Sequence, residues 1–437
     1  MELLVKSTAV MKKWIVFIVL CPLTVLAQSP FLNIQIPGIK GRIFNDQCEP
    51  AIAINPLNTK EVAAGSILNA YYYSKNGGLT WKTKKLKSTY GVWGDPVLIF
   101  DTTGRIYYFH LSNYRKATWL DRMVCQTAPR IDAKFNKGTF PKPNGTKAQD
   151  KQWVSLNPAT NELSMTWTQF DQYDSRNPMD STVILFSKTV DQAKSWTDPV
   201  RISKFAGDCL DGDNTVEGAV PAYGPNGEIY VTWTGPKGLV FQCSLDGGKT
   251  WLNEECVVSP HPGGWNIDVP GMYRTNGLPV LVCDLSAGPN RGTLYLNWCD
   301  QRNGETDTDV WLMSSSDGGK TWSAAVKVNQ DESKRHQFFT WMTIDQSTGF
   351  LYFVYYDRRN YTDNRTDVYL SLSRDGGRTF SDHRISQQPF TPYKEVFFGD
   401  YLNIAAVNGS IKAIWPRMDT GKISLWVGLI NESDLDK

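Results

Sequence analysis

The chain has 437 residues, with 46 Lys and Arg against 44 Asp and Glu and a formal net charge of +2, a near balance that excludes a nucleic-acid partner held by a basic footprint. Its 16 Trp, 19 Tyr, 19 Phe and 35 Gly suit strands joined by tight turns, and no long stretch shows the three-and-four apolar spacing of an amphipathic helix, so an all-β fold is expected. Repeat architectures add small modules in series, so this length does not demand an internal domain boundary.

The first element in chain order is an export signal. Lys12 and Lys13 precede the apolar run Trp14–Leu26, which ends at Val25-Leu26-Ala27, the small-residue pattern of a signal peptidase site. That run is too short to span a bilayer. Residues 1–27 are therefore read as a signal peptide and 28–437 as one domain, secreted or periplasmic and either free or held at the cell surface. Cleavage removes three lysines and one glutamate and leaves a formal charge near zero. Seven cysteines remain; Cys243 with Cys256 and Cys283 with Cys299 are either disulfides or pairs of buried thiols.

A lone strand, "FLNIQIP" at Phe31–Pro37, comes next, followed by units that each run from an apolar strand through an Asn/Gly turn to an aromatic strand and a Ser-rich one. They begin at "EPAIAINPLN", "DPVLIFDTTG", "KQWVSLNPAT", "VEGAVPAYGP", "GLPVLVCDLS", "HQFFTWMTID" and "DYLNIAAVNG". Four strands per unit make a β-propeller blade. The units number seven, or six if the second is an insertion. Because the last shows three strands, the strand at Phe31–Pro37 is expected to complete it and close the ring, hiding sheet edges.

Several units carry the same box. Ser244-Leu-Asp-Gly-Gly-Lys-Thr-Trp251 recurs at Ser315–Trp322, at Ser373–Phe380, with Asn at Ser74–Trp81, and in decayed form at Ser187–Trp196. The Gly pair supplies the positive φ of a tight hairpin, and the Asp and hydroxyls can bond the turn's own backbone. Asp246, Asp317 and Asp375 are thus fold residues, repeated too often for one active site.

Propellers bind ligands where the innermost strands begin. Those starts carry Glu49, Asp95, Asp150, Glu217, Asn276, Gln337 and Asp400. Converging carboxylates repel unless some hold protons, bind a cation or pair with Arg, and raised carboxyl pKa values serve glycoside hydrolysis. Arg302, Arg358 and Arg417 follow the second strands of their units, either as salt bridges between blades or as a cationic side of the same rim. His110 ends the second strand of the second unit, as a structural residue or as a base. No His/Cys cluster has zinc-ligand spacing.

The boxes resemble the Asp-box, or BNR, repeat of the sialidase-like β-propeller superfamily, and the resemblance spans residues 28–437. It implies a carbohydrate-active protein whose boxes lie on outer hairpins away from the central site. It also implies that Glu217 activates a nucleophile and that Tyr401, in "FGDYLNIA" beside Asp400, is that nucleophile. The chain departs from the family where Gly41-Arg42-Ile43-Phe44 replaces Phe/Tyr-Arg-Ile-Pro, where Trp233-Thr234 replaces a second Arg, and where "SILNAYYYS" leaves only Asp46 or Asp95 for an expected acid/base Asp.

These readings converge on an exported, monomeric, sialidase-like exo-glycosidase for an acidic glycan. Glu217 and Tyr401 are its base and nucleophile, Asp400, Asp95 and Glu49 its acid candidates, and Arg42, Arg302, Arg358, Arg417 and His110 its substrate contacts. No cofactor is expected, unless the acidic ring holds Ca²⁺. The alternatives are a non-catalytic propeller that binds glycan or protein, and a polysaccharide lyase with His110 as base.

Overall fold

Each repeat unit folds as one antiparallel sheet, and seven sheets follow one another around a channel as a β-propeller. The computed structural model describes residues 29–39 and 47–436; the signal peptide expected at 1–27, Arg42 and Asp46 lie outside them. Among the described residues no helix is long and apolar enough to cross a membrane.

The innermost strands of blades 1 to 7 are Ala51–Ile54, Gly94–Phe100, Ala148–Leu156, Glu217–Tyr223, Val280–Cys283, Gln337–Asp345 and Asn403–Val407. The second unit is a blade and not an insertion, so the count is seven. It holds three strands, Gly94–Phe100, Ile106–Leu111 and Met123–Ala128, and an isolated bridge from Cys125 to Thr139 stands in for the fourth. The strand Leu32–Ile36 pairs with Lys422–Asn431 of blade 7, Leu32 opposite Leu429 and Ile36 opposite Leu425. This N-terminal strand closes the ring. Ile36, Ile414, Leu425 and Val427 then meet Ile52, Tyr72 and Trp81 of blade 1 in one apolar layer, so burial between blades seals the join.

A bulge recurs at the head of the innermost strand in blades 2, 3, 4 and 6. One residue of each bulge is left-handed: Asp95 (φ 48°), Lys151 (φ 50°), Gly218 (φ 71°) and Phe339 (φ 51°). A bulge sets two residues against one and re-aims their side chains. The residue opposite is large and fully buried in three of these blades, Trp167, Trp233 and Tyr355. In blade 2 the same slot holds His110.

The boxes close on themselves. Ser315 donates its hydroxyl to Asp317 Oδ1 (2.8 Å) and accepts from Gly319 N (2.9 Å), while Thr321 donates its amide to Oδ1 and its hydroxyl to Oδ2. Asp246 and Asp375 make the same bonds. The decayed box keeps the pattern through Thr189, Asp191 and Ser195, with Gln192 and Ala193 at φ 62° and 58° where the other boxes have Gly-Gly. No disulfide forms among the described cysteines: Cys256 sits opposite Phe241 and not Cys243, and Cys283 opposite Leu294 and not Cys299.

The second box glycine is where one blade touches the next. A Cβ on Gly319 (φ 86°) would come within 2.2 Å of the Phe241 ring in blade 4, whereas one on Gly77 (φ 73°) meets nothing within 4 Å. Gly319→Ala is expected to cost about 2–4 kcal/mol through left-handed strain plus overpacking. Gly77→Ala should cost only the strain, about 1–2 kcal/mol. Urea unfolding of the two variants checks the difference; equal losses would mean the box does not set blade spacing.

Candidate active site

The bulged strand heads gather carboxylates at one end of the channel. Glu49, Asp95, Asp150, Glu217 and Asp400 are all buried there. Glu49 (φ 51°) and Asp400 stand just before the innermost strands of blades 1 and 7, and Asp95, Asp150 and Glu217 on those of blades 2, 3 and 4. Asn276 departs from the expected ring: it lies on a two-stranded hairpin, Asn266–Ile267 with Thr275–Asn276, inserted before blade 5. From there its side chain donates to the Asp400 carbonyl (2.7 Å).

Asp400 is the carboxyl of the group that cations hold ionised. Lys151 from the blade 3 bulge bonds its Oδ2. Arg274 from the hairpin grips it bidentately, Nε to Oδ1 at 2.7 Å and Nη2 to Oδ2 at 2.5 Å. Burial disfavours the charge, but Lys151 and Arg274 outweigh it and hold the carboxyl far below its usual range. Arg274 also reaches Asp211 Oδ2 (3.2 Å), which accepts the Tyr173 hydroxyl (2.7 Å).

Glu217 has the opposite environment. It is 0% exposed and neither carboxyl oxygen has a hydrogen-bond partner. Burial, with Asp211 close by, pushes its pKa well up. Asp150 is raised by burial and Asp95, and Glu49 by burial, Asp95 and Asp400. Glu217 and Asp400 nevertheless line one cavity of about 100 Å³ with Lys151, Asp211 and Arg274.

Tyr401 lies at the same end but is not joined to Glu217. Its hydroxyl is buried without a partner, and its ring packs edge-on to Trp153 (5.3 Å). Burial and then Asp95 and Glu49 hold the phenol proton on. The Tyr–carboxylate hydrogen bond implied by the family resemblance is therefore not made.

The expected cationic rim does not assemble. Arg302 closes on Asp300 two residues earlier (Nε to Oδ1 2.9 Å, Nη2 to Oδ2 2.7 Å) and stacks over Trp311. Arg417 does the same with Asp419 (2.8 and 3.0 Å) and lies over Trp426. Both are bridges within a blade. Arg358 is fully buried, donating to the Pro270 carbonyl (2.7 Å) and Thr366 hydroxyl (3.1 Å), its pKa brought down to about 10 by burial and Arg335. His110 in its slot opposite the bulge bonds the Leu111 carbonyl (2.8 Å), and burial takes its pKa to about 4. Among the described residues no group of His, Cys, Asp and Glu is placed to hold a metal ion; Lys151 and Arg274 occupy the position Ca²⁺ was expected to take.

The residues absent from the sequence reading are these two cations with Asp211 and Tyr173. Lys151 adjoins Asp150 and Arg274 stands two before Asn276, so a search for cations flanking the acidic strand heads finds both. Asp211 and Tyr173 come from loops and carry no such signal.

No protein-family model and no curated protein matches the chain. Its structure is similar to an ulvan lyase bound to -[GlcA(1-4)Rha3S]- (TM-score 0.53, 13% identity, 89% of this chain and 94% of that one). It is also similar to an α-L-arabinofuranosidase from Fusarium graminearum in complex with an iminosugar inhibitor (0.51, 14%, 93% and 99%). A third likeness is to the NanB sialidase from Streptococcus pneumoniae (0.50, 8%, 86% and 84%). At these identities the likeness establishes the fold.

The raised carboxyls have a cost that pH reveals. Burial raises the pKa of the folded Glu217 above its unfolded value, so its contribution is full below the unfolded pKa and falls as pH rises from about 4.3 toward the raised folded value. Glu217→Gln removes that loss. The variant should melt above the wild type at pH 7 and level with it at pH 4; thermal melts showing no gain at pH 7 would place an ionised carboxylate at this position.

Proposed function

We propose that the chain is an exported glycoside hydrolase of the Asp-box, sialidase-like type, with its active site at the carboxylate end of the channel. The observation that carries this reading is the cavity shared by Glu217 and Asp400, two carboxyls whose surroundings push their pKa values apart. A pair so separated divides into proton donor and charged stabiliser. In this assignment Glu217 gives its proton to the leaving oxygen as that oxygen parts from the anomeric carbon. Asp400 and Asp211 face the developing positive charge. Water then adds its hydroxyl to the anomeric carbon and returns its other proton to Glu217.

The roles differ from those implied by resemblance alone. Glu217, without a partner and protonated, suits an acid better than a base, and Tyr401 has no acceptor for its proton. Burial, then Asp211, Asp150 and Asp400, favour the proton on Glu217, and Asp95 and Glu49 have no direct role. The lyase alternative needs His110, which is sealed against its own blade, and so loses its base. The binding-propeller alternative needs no separated carboxyl pair. An acidic glycan finds no free guanidinium at Arg302 or Arg417, which counts against sialic acid and uronates as the recognised unit.

The test is hydrolysis of sialosides, uronic-acid polysaccharides and neutral glycans, read by released reducing ends. On any substrate cleaved, Glu217→Gln should lower turnover about 10²–10⁴-fold and abolish the alkaline limb of the pH–rate profile. Tyr401→Phe should cost far less. A loss in Tyr401→Phe as large as in Glu217→Gln would restore the phenol as nucleophile. Silence across the panel, with glycan binding intact, would favour the binding propeller.

A further inference from the structure

Next to the acidic cavity runs a path of aromatic rings whose outer two, Trp93 and Trp119, belong to no core cluster, while the third, Tyr173, packs on Phe170. Trp93 and Trp119 are 37% and 39% exposed. Their centroids lie 5.9 Å apart with planes at 88°, so the two indoles form a right-angled corner open to solvent. Trp119 meets Tyr173 at 5.4 Å and 84°. Tyr173 donates to Asp211, the carboxylate that lines the cavity and holds Arg274. Three rings thus lead from solvent to the cavity wall.

Backbone bonds fix both indoles beside the carboxylate ring. Trp93 stands two residues before Asp95, and its amide donates to the Leu111 carbonyl (2.9 Å) at the end of the neighbouring strand. The Leu120 carbonyl, next to Trp119, accepts from Gln149 (2.7 Å), the neighbour of Asp150. The corner is therefore a built feature at a set distance from the cavity and not a loose surface pair.

The charge nearby narrows what could rest there. Among the described residues, the cations that act on the cluster of Glu49, Asp95, Asp150, Asp211, Glu217 and Asp400 are Lys151 and Arg274. Six carboxyls set against two cations among the described residues favour an uncharged sugar over a negatively charged one in the cavity. An indole face offers a large rigid apolar surface at little entropic cost, and it suits the C–H side of an uncharged sugar ring.

We infer that Trp93 and Trp119 form a subsite for an uncharged sugar unit, holding the glycan chain that continues from the residue in the acidic cavity. The inference rests on the proposed glycan-active site and adds that the ligand is a neutral chain of several units. Affinity then grows with length until the chain reaches the corner.

The test is fluorescence titration of the full chain with malto-, xylo-, arabino- and chito-oligosaccharides of two to six units, with hyaluronan oligosaccharides as anionic comparators. At least one neutral series should bind more tightly as it lengthens, and hyaluronan should not compete. Trp93→Ala and Trp119→Ala should each weaken the longer members about five- to tenfold, the size of one aromatic contact. They should leave the shortest members and the melting temperature unchanged. Variants that bind every length like the wild type would overturn the subsite, as would a failure of every neutral series to bind or tighter binding of hyaluronan. Length-dependent binding lost in the Trp variants, together with no hydrolysis anywhere, would keep the subsite and remove the glycosidase.

Discussion

Asp400 is the charge around which the carboxylate end of the propeller is organised. A buried carboxylate is costly unless its oxygens are fully met, and here they are met by Lys151 from blade 3 and Arg274 from the hairpin before blade 5. Three distant parts of the chain are thereby tied across the mouth of the channel. The same two cations satisfy Asp400 while leaving Glu217 without a hydrogen-bond partner. Removing Lys151 would leave Asp400 with Arg274 as its one cation among the described residues, so the separation of the two carboxyls and the integrity of the mouth depend on one cluster.

The backbone pays locally for this arrangement. Glu49, Asp95 and Lys151 are left-handed without being glycine, a conformation that costs about 1–3 kcal/mol each and persists where surrounding structure over-determines it. Packing within the blade supplies that structure for Asp95 and Lys151: they sit opposite His110 and Trp167, as the bulges of blades 4 and 6 sit opposite Trp233 and Tyr355, large buried side chains with little freedom to yield. Strain at the strand heads and rigidity one strand further out are two sides of one device, which aims consecutive polar side chains at the channel.

Much of this was legible in the linear chain. The boxes betray themselves because a Ser, an Asp, two Gly and a Thr within one turn satisfy one another without help from elsewhere, as the bonds around Asp246, Asp317 and Asp375 do. Ring closure was legible because the last unit lacked a strand that Leu32–Ile36 could supply. The acidic strand heads were legible from their repeat position. The arginines misled because the repeat marks a place in the blade and not what a side chain reaches: Arg302 and Arg417 each find a carboxylate two residues away. His110 misled in the same way, since its repeat partners Trp167 and Trp233 show its position to be a packing slot.

The sequence by itself determined the all-β propeller, the self-contained turn of each box and the acidity of the innermost strand heads, because each rests on contacts within a turn or on a period repeated along the chain. Only the tertiary structure decided which carboxyl is ionised and which is protonated. That choice turns on Lys151, Arg274, Asp211 and Tyr173 arriving from separate blades and loops, and on the burial of Glu217. Electrostatic energies depend on distance and dielectric between groups that are remote along the chain, so a local pattern could name Lys151 and Arg274 but not the carboxyl they pair with.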